Sequence, residues 1–327
     1  MYNLKRGDEC MGLDFLLLLQ DFRESAGMWL APFMSWITEF SASFWPVAAI
    51  CLIYWAFDRR SGRRILAGYA GGLFINGFLK LTFCVYRPWI RDARIQPYGD
   101  SKTAATGYSF PSGHSTRAAA TVGGMGWQQR KRRAWVTALA AIYVLLVMFS
   151  RNFLGVHTPE DVIVGCASTV GMMALTGLIE NWSDKKPSRD WLILTAAAAV
   201  CGAAALYYVK KPYPMDYNEA GKLLVNPVSM RADAYEGLGF LLAFAICRPF
   251  ERRWFDFDSA FSTRARVAVG IAALVPLYAW FNCICPAIMS GMGRAFGKLL
   301  RFSVITAYVM LFVPFVMKLV SGWLKNR

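Results

Sequence analysis

Charged side chains and histidine are both scarce in this sequence. Of the 327 residues, 17% are charged and 56% are hydrophobic, whereas about a quarter of a typical soluble domain is charged. The apolar residues form long uncharged runs, which excludes an ordinary soluble domain and predicts an all-α protein that crosses the membrane several times. Only two histidines are present, His114 and His157, so any imidazole chemistry depends on these two side chains.

The sequence also lacks the spacing of a metal site. Among its eight cysteines, Cys283 and Cys285 are separated by one residue and have no partner histidines, which is the wrong arrangement for zinc. Five others lie inside or beside apolar runs, where cysteine behaves as a small buried side chain; they are Cys51, Cys84, Cys166, Cys201 and Cys247. No metal and no cofactor is predicted.

Neither a cleaved signal peptide nor a nucleic-acid partner is predicted. The apolar stretch 13–19 is too short for the core of a signal peptide, and no small-residue cleavage site follows it. The net charge of +15 comes largely from short clusters of Lys and Arg between apolar runs. This pattern indicates membrane orientation and contact with anionic headgroups.

Nine apolar runs predict transmembrane helices. Residues 13–40, which precede them, mix apolar clusters with charges and are typical of an amphipathic helix in the membrane interface, with a short span as the alternative. The predicted spans are 41–57, 65–86, 112–129, 134–150, 158–179, 191–209, 235–247, 267–285 and 302–320. The seventh is short and has the weakest pattern.

The basic turns predict an orientation in the bilayer. Segments 58–64 and 130–133 carry four Lys or Arg each and fall on one side together with 248–266. Cytoplasmic loops are enriched in these residues, so the opposite face is predicted to be the periplasm or cell exterior, and the membrane a bacterial plasma membrane.

The chain is expected to divide into an N-terminal segment (1–40), a catalytic core (41–180) and a further C-terminal bundle (181–327).

Three segments on the predicted outer face carry chemically reactive groups. Lys80 and Arg87 are seven residues apart, about two helical turns, so both can reach an anion from one face of a helix end. Alternatively, the two side chains only extend toward the headgroups. Ser112 is a good N-cap after Pro111 and opens a helix whose first N–H groups favour an anion. His114 then lies in its first turn, either beside such an anion or as an interfacial histidine.

The third segment contains a histidine and a carboxylate at a helix start. Thr158 can cap a helix, Pro159 suits its first position, and Asp161 falls in its first turn. This spacing brings Asp161 within reach of His157, where a carboxylate can fix the tautomer and leave the other ring nitrogen free to attack. A purely structural Asp–His pair is the alternative. Arg151, at the end of the preceding span, can close on the same pocket.

These three segments together resemble the signature motifs of the type 2 phosphatidic acid phosphatase superfamily. The matching patterns are Lys80-x6-Arg87-Pro88, then Pro111-Ser112-Gly113-His114, and finally Ser150-Arg151-x5-His157-x3-Asp161. The resemblance covers about residues 13–180. The Leu-rich N-terminal helix followed by Tyr54-Trp55 and Asp58-Arg59 is also similar to bacterial members close to sphingosine-phosphate phosphatases.

The resemblance implies a role for each matching residue. It implies that His157 attacks phosphorus to give a phosphohistidine, that Asp161 orients it, and that His114 protonates the leaving alcohol. The implied phosphate-binding residues are Lys80, Arg87, Ser112, Gly113 and Arg151. The three fixed cations among them, Lys80, Arg87 and Arg151, take the place of a metal ion, so the implied activity is metal-independent.

The sequence therefore predicts a membrane lipid phosphatase that acts on a lipid phosphomonoester or diphosphate at the extracytoplasmic face. A lipid phosphotransferase with the same site fits the motifs equally, and a transporter with a vestigial phosphatase core is an alternative of another class. Phosphatidate, phosphatidylglycerophosphate, undecaprenyl diphosphate and sphingoid phosphates all fit as substrates, and the oligomeric state stays open. The loop 210–236 is expected on the active-site side, either covering the headgroup or as a solvated connector.

Overall fold

The computed structural model describes residues 10–105, 107–254 and 262–325 of the chain. This part is all α-helical, as the sequence predicts, with a single isolated β-bridge between Tyr217 and Leu223. The helices are α1 (Cys10–Phe22), α2 (Ala31–Ala42), α3 (Phe44–Leu52), α4 (Arg59–Phe83), α5 (Pro88–Arg91), α6 (Ser101–Ala104), α7 (Gly113–Ala118), α8 (Gly124–Gln129), α9 (Ala134–Phe153), α10 (Pro159–Asp184), α11 (Arg189–Lys210), α12 (Pro227–Trp254), α13 (Thr263–Ala279), α14 (Cys285–Gly291), α15 (Arg294–Ala307) and α16 (Val313–Lys325).

The protein is a polytopic membrane protein with fewer clear spans than the nine predicted. Within the described ranges, six helical stretches are long and apolar enough to cross a membrane, or seven if one bent pair counts as a span. The six are Arg59–Arg91, Ala134–Phe153, Pro159–Asp184, Arg189–Lys210, Thr263–Gly291 and Arg294–Val320. The bent pair joins Met28–Ala42 to Phe44–Phe57 at an angle of 47°.

The two remaining predicted spans are helical, but one helix is too short and the other is not apolar enough to count as a membrane span. Predicted span 112–129 corresponds to α7 and α8, joined by the π-helical turn Ala119–Gly123 into one helix that is too short to qualify. Predicted span 235–247 lies within α12, which is much longer than expected at both ends. The charged side chains of α12 lower its mean hydropathy, although the helix is among the most buried in the protein.

The N-terminal segment differs from the single interfacial helix expected over 13–40. It forms two helices, α1 and α2, separated by the turns at Arg23–Gly27 and Met28–Leu30. The buried Arg23 side chain holds this break in place, because it donates hydrogen bonds to the carbonyl oxygens of Phe153 (2.8 Å) and Gln96 (2.7 Å). Helix α1 therefore lies against the loop after α5 and the end of α9.

Helix α4 lies at the centre of the bundle and packs against α10 and α12. The aromatic side chains of Tyr69, Phe240 and Phe302 join α4 to α12 and α15. Phe240 and Phe302 stack with ring centroids 4.9 Å apart, and Tyr69 meets each of them edge-on at 5.4 Å. The C-terminal helices are thus packed directly on the segment that carries the first sequence motif.

A buried ion-pair network ties the same helices together at the end of the bundle where α4 begins. The Arg248 guanidinium of α12 binds Glu180 of α10 (3.1 Å) and Glu251 of its own helix (3.0 Å). Arg63 of α4 binds the other oxygen of Glu180 at 2.5 Å. Buried charges are tolerated only when paired in this way. The division of the chain at residue 181 stays a prediction.

Candidate active site

The three sequence motifs converge on one cavity of about 270 Å³ at the end of the bundle opposite this network. Six of the eight predicted site residues line it: Lys80, Arg87, Gly113, His114, Arg151 and His157. The remaining two, Asp161 and Ser112, lie directly behind the lining and hold its members in place. The cavity is slightly smaller than typical ligand pockets of about 300–1,000 Å³, which suits a headgroup better than a whole lipid.

The start of α10 positions His157 and its carboxylate partner, as the sequence predicts. Thr158 is the N-cap of α10 and forms a capping box with Asp161, whose Oδ2 accepts the Thr158 N–H at 3.0 Å. The same oxygen lies 3.2 Å from His157 Nδ1. Both side chains are almost fully buried. The local helix cap therefore fixes the carboxylate beside the imidazole.

The other ring nitrogen of His157 faces a cation. Arg87 Nη1 lies 2.9 Å from His157 Nε2. A guanidinium can only donate hydrogen bonds, so Nε2 accepts and the imidazole proton is on Nδ1. Burial lowers the pKa of His157 well below its usual value, and the nearby cations, Arg87 first, lower it further. The resting imidazole is thus neutral, with a lone pair on the nitrogen that faces the cavity.

Arg87 lies beyond the helix that was expected to carry it. Helix α4 ends at Phe83, where Cys84 adopts a left-handed conformation with φ of 51°. The prediction that Lys80 and Arg87 share a helix face is therefore wrong, although both line the cavity. Arg87 has extended backbone and is anchored by the carbonyl oxygens of Gly107 and Val156, each at 3.0 Å. A proline disfavours helical backbone in the residue before it, and Pro88 therefore explains the extended conformation of Arg87.

Lys80 organises the loop that approaches the cavity from the opposite side. Its ammonium group donates to the carbonyl oxygens of Tyr108 (3.0 Å), Ser109 (3.3 Å) and Pro111 (2.8 Å). These contacts use all three ammonium donors. Lys80 thereby places its charge at the cavity and fixes the backbone that leads to the second motif.

Arg151 has few partners for its buried guanidinium. Its Nη1 makes one long contact of 3.4 Å with Thr38 Oγ1, and its buried Nε has no hydrogen-bond partner among the residues that the structure describes. Buried donors without a partner are rare and costly in proteins. Arg151 lines the cavity, so an anion bound there would accept hydrogen bonds from its guanidinium group.

The second motif forms the start of α7. Ser112 caps this helix, accepting the Ser115 N–H at 3.4 Å, and its own N–H donates to the Asp161 carbonyl at 2.8 Å. Ser112 thus joins the second and third motifs, and its N–H is already used. A side chain added at Gly113 would meet open space, so this residue exposes the helix start to the cavity. His114 follows and has its Nε2 3.8 Å from the exposed Glu39.

Several residues of the site were not singled out by the sequence analysis. Ser109 donates to Asp161 Oδ2 and lies 3.3 Å from His157 Nδ1. Asn152 donates to the His157 carbonyl at 2.8 Å. No pattern pointed to these two, because polar loop residues are common and their contacts depend on the tertiary fold. The described ranges contain no group of His, Cys, Asp and Glu that would hold a metal ion.

The far wall of the cavity comes from the C-terminal helices. Helices α12 and α15 contribute four charged residues to the lining: Asp233, Glu236, Arg294 and Lys298. Residues 227–236, which were expected to belong to a loop, form the first turns of α12. The loop proper, 211–226, contributes nothing described to the lining and folds onto the end of α4, where Tyr86 donates to Asp216 at 2.6 Å.

Comparison with known proteins identifies a family over the segment that carries the candidate site. The model of the PAP2 superfamily matches residues 62–184, a segment that contains all eight predicted site residues. No solved structure matches the chain significantly.

Two curated relatives come from Bacillus subtilis (strain 168). Undecaprenyl-diphosphatase BcrC is 33% identical over 136 residues, which cover 40% of this chain and 64% of that protein, just under two thirds of its length. Phosphatidylglycerophosphatase B is 30% identical over 166 residues, which cover 48% of this chain and 77% of that protein. With its three motifs gathered around one cavity, the chain belongs to the PAP2 superfamily.

Proposed function

We propose that the protein is a membrane lipid phosphatase that works through a phosphohistidine intermediate. The observation that carries this proposal is the environment of His157: a carboxylate at Nδ1 and a cation-lined cavity at Nε2. Such an imidazole is neutral, oriented and aimed at a site built for an anion. Both curated relatives are named as phosphatases, which supports the same class of reaction.

The proposed first step is attack by His157 Nε2 on the phosphorus atom of a lipid phosphate. Arg87 and Arg151 exchange their resting contacts for phosphoryl oxygens, and the charge of Lys80 lies beside them. Burial and then the nearby cations, Arg151 first, lower the pKa of His114 in the empty site. The negative charge of the bound phosphate offsets these cations, so His114 takes up a proton when substrate binds. As the phosphorus–nitrogen bond forms, the bond from phosphorus to the leaving oxygen breaks, and protonated His114 gives that oxygen its proton. Asp161 accepts a hydrogen bond from His157 Nδ1–H and so stabilises the positive charge that develops on the imidazole.

In the second step, water attacks the phosphorus of the phosphohistidine while neutral His114 accepts a proton from that water. The phosphorus–nitrogen bond breaks, the electron pair returns to Nε2, and inorganic phosphate leaves. Phosphoryl transfer depends mainly on positioning and charge neutralisation. The fixed cations of the cavity supply both, so we propose that the reaction needs no metal ion.

A lipid substrate is proposed because the cavity lies within a membrane-spanning bundle and is small. Its volume of about 270 Å³ holds a phosphorylated headgroup while the hydrocarbon chains stay in the bilayer. We further propose that the cavity opens at the extracytoplasmic face, since the basic turns 58–64 and 130–133 lie at the opposite end.

The first prediction concerns phosphate release by the detergent-purified protein in the presence of EDTA. We expect release from lipid phosphates to persist in EDTA and to fall to background in His157→Ala. With substrate labelled on phosphorus, a rapid alkaline quench should leave label on the wild-type protein, because phosphohistidine survives base, and none on His157→Ala.

A second variant separates the two histidines. In His114→Ala, the first step, followed as label transferred to His157, should slow by about 10²-fold or more for a lipid alkoxide leaving group, as for a lost general acid, and much less for an aryl phosphate, whose aryloxide leaves without a proton. Steady-state phosphate release should fall for both substrates, because His114 also accepts a proton from water in the second step. Label on His157→Ala would overturn the mechanism. Transfer of phosphate to an added lipid alcohol in preference to water would make the protein a phosphotransferase with the same site.

A further inference from the structure

The cavity has a second charged wall that lies outside the segment matching the family. Its four charged residues, Asp233, Glu236, Arg294 and Lys298, come from α12 and α15, whereas the family match ends at residue 184. The C-terminal helices are therefore part of the pocket that faces His157.

Close helix packing holds this wall in position. A Cβ atom at Gly237 would lie 2.5 Å from the Leu73 carbonyl carbon, so α12 touches the backbone of α4 just below the cavity. On its other side, a Cβ atom at Gly239 would lie 2.3 Å from the Leu299 oxygen of α15. The charges next to these contacts are consequently fixed in relation to Lys80 and His157.

The charges on this wall form a chain of ion pairs. Glu236 binds Arg117 at 3.0 Å and Lys298 at 2.8 Å, and its carboxylate is almost fully buried. Asp233 binds Arg294 at 2.8 Å and lies 3.4 Å from Lys298. When Arg117 of α7 is counted with the four wall residues, three cations face two carboxylates, so this cluster of cavity-lining charges carries an excess positive charge.

The two cations from α15 have capacity beyond these pairs. Arg294 uses Nε and Nη2 on Asp233 and leaves Nη1 without a described partner, and its side chain is 47% exposed. Lys298 uses two of its three donors on the carboxylates. Both residues line the same cavity as His157. On the His157 side, three cations (Lys80, Arg87 and Arg151) face one carboxylate, Asp161, which also leaves an excess of positive charge.

We infer that Arg294 and Lys298 form a second anion subsite, which binds another phosphoryl group carried by the leaving group of the substrate. The substrate class is thus a lipid with two phosphoryl groups, either a diphosphate or a phosphomonoester whose headgroup also contains a phosphodiester. This inference rests on the proposed phosphatase function and specifies its substrate. Asp233 binds both cations and Glu236 binds Lys298, so the two carboxylates hold the cations in place while the subsite is empty.

The test compares two pairs of substrates in which one member carries two phosphoryl groups and the other carries one. The pairs are undecaprenyl diphosphate with undecaprenyl monophosphate, and phosphatidylglycerophosphate with phosphatidate. We expect Arg294→Gln to lower kcat/KM about tenfold or more for the members with two phosphoryl groups, as for a lost charge-assisted hydrogen bond. The members with one phosphoryl group should change by less than about twofold, since a lost rim charge has a small effect.

Two further variants sharpen the result. Lys298→Gln should show the same selective loss while keeping a hydrogen-bond donor for Glu236. Arg231→Gln, on α12 but outside the cavity lining, removes the same charge and should leave both substrate classes unchanged. The substrate pair that shows the selective loss tells whether the second group is a diphosphate or a headgroup phosphodiester.

Equal losses for both members of every pair would show that the ion pairs only support the fold, and would overturn the inference. Unchanged kinetics in Arg294→Gln and Lys298→Gln would do the same. A wild-type protein without activity on any of the four lipids would instead contradict the proposed phosphatase function, so the two failures are distinguishable.

Discussion

At the scale of single residues, the site depends on the protonation of His157. Its Nδ1 faces Asp161 and its Nε2 accepts a hydrogen bond from Arg87. In the proposed mechanism, Arg87 protects the lone pair of Nε2 in the resting state and must move to a phosphoryl oxygen when substrate binds. Arg87 therefore has two positions in the proposed cycle, one on His157 and one on the substrate.

The second prediction concerns the tautomer and pKa of His157. With ¹⁵N-histidine labelling and His114→Gln, only one imidazole remains, because the chain has two histidines. We expect Nδ1 protonated and Nε2 bare, in a neutral ring that persists below pH 6.5, the usual histidine pKa, because burial and nearby cations lower the pKa.

The sign of this shift gives a further check. The neutral ring exists above the lowered pKa and becomes charged only as the pH falls through it, so activity limited by His157 should persist into mildly acidic solution. Arg87→Gln should raise the pKa by removing the nearest cation. A bare Nδ1 with a protonated Nε2 in the resting protein would contradict the proposed nucleophile.

At the scale of elements, α12 connects the proposed catalytic residues to the C-terminal helices. Its side chains Asp233 and Glu236 lie in the cavity wall, and its Gly237 lies against the backbone of α4. Glu236 also binds Arg117 of α7, three residues after His114. A displacement of α12 would thus move both the second wall and the helix of the proposed general acid.

The third prediction is that Gly237→Ala is destabilising and lowers activity. The new Cβ atom would come 2.5 Å from α4 backbone, which cannot yield as a flexible side chain would. Overpacking of this kind costs about 1–3 kcal/mol, measurable as a lower thermal unfolding temperature in detergent together with reduced phosphate release.

Gly202→Ala in α11 is the matched control for this substitution. A Cβ atom at Gly202 meets no described atom within 4 Å, so the same change should leave the unfolding temperature unchanged or slightly raised. If Gly237→Ala and Gly202→Ala behave alike, α12 and α4 are not in the close contact described.

At the scale of the whole molecule, charged clusters lie at both ends of the bundle and differ in their construction. The network around Arg248 and Glu180 is buried and internally paired. The cluster around His157 surrounds a cavity and contains cations with unused donors. The first cluster joins helices, whereas the second has the properties of a binding site.

The fourth prediction places the cavity end of the bundle outside the cell. Lys222, in the loop before α12, and Lys131, in the basic turn between α8 and α9, lie at opposite ends and are exposed. In intact cells, a membrane-impermeant maleimide should label Lys222→Cys and should reach Lys131→Cys only after lysis. The unsubstituted chain controls for its exposed Cys283. The reverse labelling pattern would place the site in the cytoplasm.

The sequence by itself determined the membrane class and the pairing of His157 with Asp161. Hydropathy is a local property of each run, and the capping box at Thr158 is a local feature of one helix start, so neither depends on distant contacts. The sequence also predicted that the three motifs lie on one face of the membrane, and the structure gathers them around one cavity. Their roles as catalytic and phosphate-binding residues stay predictions from the resemblance.

Only the tertiary structure decided where Arg87 lies and what the C-terminal helices contribute. Helix α4 ends at Phe83 because Cys84 adopts a left-handed backbone conformation, and a cysteine at this position does not predict that conformation. The charges of α12 lowered the hydropathy of its segment and weakened the pattern of the seventh predicted span, 235–247, and the charges of α15 precede the ninth predicted span, 302–320. These charges lie at the cavity because each pairs with a partner more than 60 residues away in the sequence, as Glu236 does with Arg117 and Arg294 does with Asp233. Pairing over such distances depends on helix packing, which no local pattern encodes.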